Sequence, residues 1–220
     1  MVESRSVGAC GAKATEGAVL LWAAAAATSF FTLAPTLVGA LIDHLHLSVR
    51  ELGLIASCEL AGSTLGSAIA LLYGRRFSAQ VALTVSLALA GIFNLATAAA
   101  HDFQTIASCR VAAGLGGGLA FSVVNAAATR ARQPGHWFAA ISVVQMMFGV
   151  AGFLGVPLLT STLGLPAVFM FLGVCCLAGS IAAAFSISPA PVHDSPLRAT
   201  LCLTPRGALL LISLFATYLT

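Results

Sequence analysis

Six apolar runs, each long enough to cross a bilayer, dictate what this chain can fold into. They fall at about 17–42, 51–73, 78–100, 104–128, 137–160 and 166–187. A spanning helix needs ~20 residues at ~1.5 Å of rise per residue, and every run exceeds that length. None shows the apolar–polar alternation of a membrane barrel strand. The expected fold is an all-α integral membrane protein, a bundle of six transmembrane helices. Composition agrees, with 59% hydrophobic and only 8% charged residues, where a soluble domain carries about 25% charged. So few charges cannot cover a water-facing surface. The net charge of +3 does not point to nucleic acid, because the basic residues are scattered through short loops and form no patch.

Between the runs lie short connections: DHLHLSVR at 43–50, a tight GRRF turn at 74–77, HDF at 101–103, TRARQPGH at 129–136 and a very short turn near Gly164, Leu165 and Pro166. Residues 1–16 are polar and small, and are expected to be a disordered cytoplasmic tail. A Pro/Ser-rich stretch at 188–205 reads as a cytoplasmic linker. From Arg206 a further apolar run stops at Thr220, too short to cross ~30 Å unaided. It is expected to be the start of a truncated seventh helix, so that the chain is a fragment of a longer protein; the alternative is a short amphiphilic tail on the membrane surface.

Lys and Arg set the orientation. With the N-terminus in the cytoplasm, Arg5, Lys13, Arg75, Arg76, Arg130, Arg132, Arg198 and Arg206 are cytoplasmic, only Arg50 is outside, and Arg110 lies in the membrane. This asymmetry satisfies the positive-inside rule, and the expected location is the cell (plasma) membrane. The six cysteines include no CxxC and read as small packing residues rather than a zinc site or disulfide framework. His44, His46, His101, His136 and His193 sit at loops or edges, which suits interfacial residues better than metal or haem ligands. No cofactor, metal or enzymatic activity is expected: no histidine lies deep in a span and no GxSG occurs.

Two charges are sunk into the apolar runs. Glu59 lies eight positions past Glu51 in the second run, and Arg110 eight positions past Asp102 in the fourth. Both helices descend from the outer face, so both charges sit roughly 12 Å below it. Equal depth allows an ion pair, the usual way an intramembrane charge is tolerated. Such a pair serves either as a proton site, with Glu59 titrating against Arg110, or as a static brace. Arg110, Gly114, Gly118 and Phe121 share one helix face, as do Glu59, Gly62 and Gly66. The glycines form small-xxx-small faces that suit close helix packing or, alternatively, a hinge. Thr28, Thr32, Pro35 and Gly39 form a polar stripe on the first run, lining an aqueous path or bonding between helices, with Pro35 interrupting the backbone ladder. Gln145, Gly149 and Gly152 share a face of the fifth run. Gln145 and Asn125 are candidates for substrate hydrogen bonds or packing contacts.

The motifs in this order resemble the major facilitator superfamily over about 17–220. The segment LGLIASCELAGSTLGSAIALLYGRRF is similar to the family's signature between helices two and three, with Gly74, Arg75 and Arg76 matching its tight basic turn, a conformational loop. The signature's aspartate position holds Leu71, and its first glycine position holds Ser67, one place after Gly66. RVAAGLGGG resembles the helix-four signature, whose arginine, associated with proton coupling, is Arg110 here. QMMFGVAGFLGVP is a loose version of the helix-five exporter signature, with Gly155-Val-Pro157 in place of Gly-Pro.

The resemblance implies the family's N-terminal half, built from 3+3 inverted repeats, followed by the start of a second half whose remainder is missing. It implies a secondary active transporter of a small solute across the cytoplasmic membrane, proton-coupled and working by alternating access. Spans one, two, four and five would then line the cavity, and spans three and six would face lipid or the rim. The alternative is a truncated or non-transporting membrane protein, favoured by Leu71 at the aspartate position.

Overall fold

Side-chain caps start three of the helices that the apolar runs form. Ser48 and Glu51 make a reciprocal capping box: the Ser48 side chain accepts from the Glu51 amide at 3.3 Å, and the Glu51 carboxylate accepts from the Ser48 amide at 2.8 Å. Ser78 accepts from the Val81 amide at 3.2 Å, and Asp102 from the Thr105 amide at 2.8 Å, each satisfying a donor that a helix start otherwise leaves orphaned. The computed structural model describes the backbone of residues 3–45, 47–74 and 76–189, and the side chains of 15–42, 47–74 and 76–189. Among these residues the elements are α1 (Glu3–Ala27), α2 (Ser29–Leu45), α3 (Val49–Tyr73), α4 (Ala79–Ala98), α5 (Phe103–Arg130), α6 (Pro134–Leu163) and α7 (Leu165–Ser186).

The fold is the expected all-helical bundle, with six helical segments long and apolar enough to span a membrane, the first running from Thr15 to Ile42 across α1 and α2. The helices outrun the loops drawn from sequence. Within 1–16, expected to be disordered, the backbone is helical from Glu3, and α2 reaches Leu45. The 43–50 and 129–136 connections shrink accordingly, to 46–48 and 131–133. The first span is divided at Thr28, seven residues before Pro35, which lies inside α2. Thr28 Oγ1 donates back to the Ala24 carbonyl and Thr32 Oγ1 to the Thr28 carbonyl, both at 2.9 Å. This side-chain competition for carbonyls bends helices, and Pro35 adds a missing donor one turn on. Between α6 and α7 the connection is Gly164 alone, at φ 83°, in the left-handed region that glycine enters without steric cost. The expected linker beyond 189, the seventh element at 206–220 and Arg75 lie outside the described residues.

Helix α5 is the hub, packed against α1, α3, α4 and α6. Its glycines explain why. A Cβ on Gly114 or Gly118 would strike the backbone of Glu59 or Ser63 on α3, and a Cβ on Gly62 or Gly66 would strike the backbone of Val111 or Leu115 on α5. The two small-xxx-small faces interlock, so two backbones touch where side chains would hold them apart. Gly116 presses on Ser86 and Ala90 of α4, where a Cβ would lie 2.5 Å from the Ser86 carbonyl oxygen, and a Cβ on Gly117 would lie 2.6 Å from the Ala27 carbonyl oxygen of α1. Three consecutive glycines thus admit three different helices. Gly149 and Gly152 of α6 lie against Thr32 and Leu33 of α2.

Two apolar clusters fill the bundle. Leu83, Leu87, Val124, Ile141 and Ala183 belong to the one at the α4 start, and Leu41, Leu52, Ile106, Leu165 and Phe169 to the one at the opposite end, where His101 sits. Arg110 adjoins the second.

Two measurements check this packing. Gly118→Ala is expected to lower stability by about 1–3 kcal/mol, whereas Gly53→Ala, with open space around its Cβ, is expected to gain up to about 1 kcal/mol from helix propensity; denaturant unfolding in micelles compares them. The hydrogen bond from the Thr105 amide holds the Asp102 carboxyl below its ordinary value of 3.8. The cap therefore stabilises the start of α5 above that value and loses that effect as pH falls through the lower folded value. Amide protection at Thr105 is expected to drop in that acid window and to stay constant above it.

Candidate functional site

Arg110 is 0% exposed in a bundle whose surroundings are hydrocarbon. An unsatisfied guanidinium there is costly, and the structure surrounds it from four other helices. Nη1 donates to Oε2 of Glu59 on α3 at 3.3 Å, and Glu59 is itself 6% exposed. Nη2 donates to the Thr97 hydroxyl at 2.8 Å, to Oδ1 of Asn94 at 2.9 Å and to the Phe93 carbonyl at 3.4 Å, all on α4. The rings of Phe30 on α2 and Phe169 on α7 stand 5.3 and 5.1 Å from the guanidinium carbon. Desolvated cation–π contacts of this kind contribute up to about 2 kcal/mol.

The structure therefore brings Glu59 and Arg110 together. It also adds partners that the sequence reading passed over. Asn94 and Thr97 sit on span three, which the resemblance assigned to lipid or rim. Their contacts to Arg110 are shorter than the one to Glu59, and 2.7–2.9 Å is the usual range of a strong charge-assisted bond. The signal was present in IFNLATA: two polar residues three apart, within reach of a side chain that extends toward the outer boundary. Asn94 Nδ2 donates to the Ala90 carbonyl and Thr97 Oγ1 to the Phe93 carbonyl, so both are locked with their acceptor atoms toward Arg110. Arg110 Nε finds no acceptor among the described residues.

The remaining candidates separate into a second locus and a remainder. Gln145 Nε2 on α6 donates to Thr28 Oγ1 at the α1–α2 break, at 2.9 Å, joining spans one and five. Thr32 bonds within its own helix. Asn125 is half-buried on α5, with no side-chain hydrogen bond to a described residue. Gly74 ends α3 with its amide donating to the Ala70 carbonyl, and Arg76 stacks over Tyr73 at 5.8 Å. The glycines Gly62, Gly66, Gly114 and Gly118 hold α3 against α5 one turn from the ion pair, because Gly114 faces Glu59 itself. Cys58, Cys109, Cys175 and Cys176 are free thiols.

The family model of the Major Facilitator Superfamily matches residues 19–219. No curated protein matches the chain.

A mutant cycle measures the coupling at the site. Arg110→Ala is expected to destabilise by about 3–5 kcal/mol, because it leaves Glu59 buried without a partner. Adding Glu59→Gln is expected to recover part of that loss, and equal, additive losses in detergent unfolding would show that the two side chains do not interact.

Proposed function

Because the chain belongs to the Major Facilitator Superfamily, whose members are membrane transporters, we propose that it moves a small solute across the cytoplasmic membrane as a proton-coupled secondary transporter. The observation that carries this reading is the fully buried Arg110 with Glu59 at 3.3 Å, one titratable and one permanent charge inside the bundle. A carboxylate beside a guanidinium is a proton site whose occupancy changes local electrostatics: a bound proton removes the attraction to Arg110, and proton release restores it. In the family architecture two six-helix halves rock about a central site. This bundle supplies the first half, oriented with its N-terminus in the cytoplasm according to the positive-inside count.

Within that scheme Thr28 and Gln145 are candidates for the solute path, since each gives up only one partner if the pair opens. Asn125 offers an amide on the hub helix. The turn at Gly74, Arg75 and Arg76 serves as the conformational loop. Leu71 stands where the family's signature has an acidic residue.

One observation favours a second reading. The interlocked glycines clamp α3 to α5 directly beside Glu59, as a static brace would require. Transport separates the two. The intact protein is reconstituted in liposomes, and uptake of a panel of small organic acids, sugars and drugs is measured with and without an inward proton gradient. Gradient-driven uptake is expected for at least one solute, and Glu59→Gln is expected to remove the dependence on pH. Undiminished uptake with an unchanged pH profile in Glu59→Gln would take Glu59 out of the coupling role and leave it as a brace.

A further inference from the structure

A cavity of about 210 Å³ opens at the His101 end of the bundle, between the end of α4 and the starts of α5 and α7. Exposed His101 stands at its mouth, Ala98 and Ala100 line its side, and Thr97, Ile106 and Phe169 form its floor. Two of those floor residues touch Arg110: Thr97 accepts from Nη2 at 2.8 Å, and the Phe169 ring covers the guanidinium at 5.1 Å. We propose that this cavity is a water-filled inlet that hydrates the Arg110 cluster from the His101 end, with Thr97 as the link between water and the buried charge.

Three features argue for water rather than lipid or void. The space far exceeds the ~10–15 Å³ that one water needs by a probe-volume measure. Its wall carries the polar partners that bound water requires. His101 and Thr97 border the cavity, and the Thr97 hydroxyl is held within 2.8 Å of Arg110 Nη2. Finally, Arg110 Nε is buried with no acceptor among the described residues, a deficit that internal water commonly fills. The inlet lies among spans three, four and six, away from the Thr28–Gln145 pair that joins spans one and five, so water at Arg110 does not require that pair to open.

The proposal stands apart from the transport reading, because hydration is measured without a substrate. In liposomes holding the full chain with its native cysteines replaced, a charged, membrane-impermeant thiol reagent in the aqueous phase at the His101 end is expected to label Ala98→Cys and Ile106→Cys. Met170→Cys, on the exposed outer surface of α7 next to Phe169, is the lipid-facing control and is expected to stay unlabelled. Adding a plug, Ala98→Phe, is expected to abolish labelling of Ile106→Cys. An Ile106→Cys thiol as inert as Met170→Cys in a folded protein would overturn the inlet. Should Ile106→Cys fail to fold, radiolytic hydroxyl-radical labelling of the unaltered chain decides. Oxidation of Phe169 well above that of Leu172, which is 0% exposed in the same helix, supports the inlet; equal inertness of the two overturns it.

Discussion

A guanidinium cannot rest in hydrocarbon without partners, and the arrangement of this bundle follows from that requirement. Arg110 draws acceptors from α3 and α4 and aromatic faces from α2 and α7. Hydrogen bonds to a charged group contribute more than neutral ones, about 1.5–3 kcal/mol each, and truncating one partner of a buried pair costs more than the pair returns. The cluster is therefore as much a specification of helix order as a source of stability. This arrangement of four neighbouring helices brings Glu59, Asn94, Thr97, Phe30 and Phe169 to a single point.

The site is asymmetric. On the α4 side, Asn94 and Thr97 are fixed by hydrogen bonds to their own helix and hold Nη2 at short range. On the α3 side a single longer contact joins Nη1 to Glu59. The charge belongs first to the α4–α5 pair, and the carboxylate is the more weakly held member. A proton arriving at Glu59 would thus change the charge of the site without dislodging Arg110. The proposed coupling role would use this asymmetry, with the permanent charge as a fixed reference for the titratable one.

That Glu59 and Arg110 could meet was legible from register, because each lies eight residues past an acidic residue at the start of its helix. The small-xxx-small faces were equally legible, since glycine at i and i+4 lets backbones touch. Asn94 and Thr97 were harder to see. A polar residue in an apolar run can bond its own preceding turn and still face lipid, so composition does not say which way it turns; only the reach of the arginine side chain brings them in. The division at Thr28, seven residues before the Pro35 that interrupts the backbone ladder, was hidden for a related reason. A missing donor is obvious in the letters of the sequence, whereas a hydroxyl folding back on the carbonyl four residues earlier depends on the rotamer. The caps at Ser48 and Asp102 lengthened helices into segments whose polarity reads as loop.

Gly116, Gly117 and Gly118 each meet a different helix, and Gly114 and Arg110 lie one and two turns before Gly118 on the same face. The rotational phase of α5 is consequently fixed by α1, α3 and α4 at once. Gain or loss of one residue between Arg110 and Gly118 would swing everything beyond it by ~100°, turning side-chain-bearing positions into three backbone contacts while carrying the charge away from its carboxylate. Such a helix tolerates substitution on its remaining surface but no change of length, and it can rotate only if its whole retinue rotates with it.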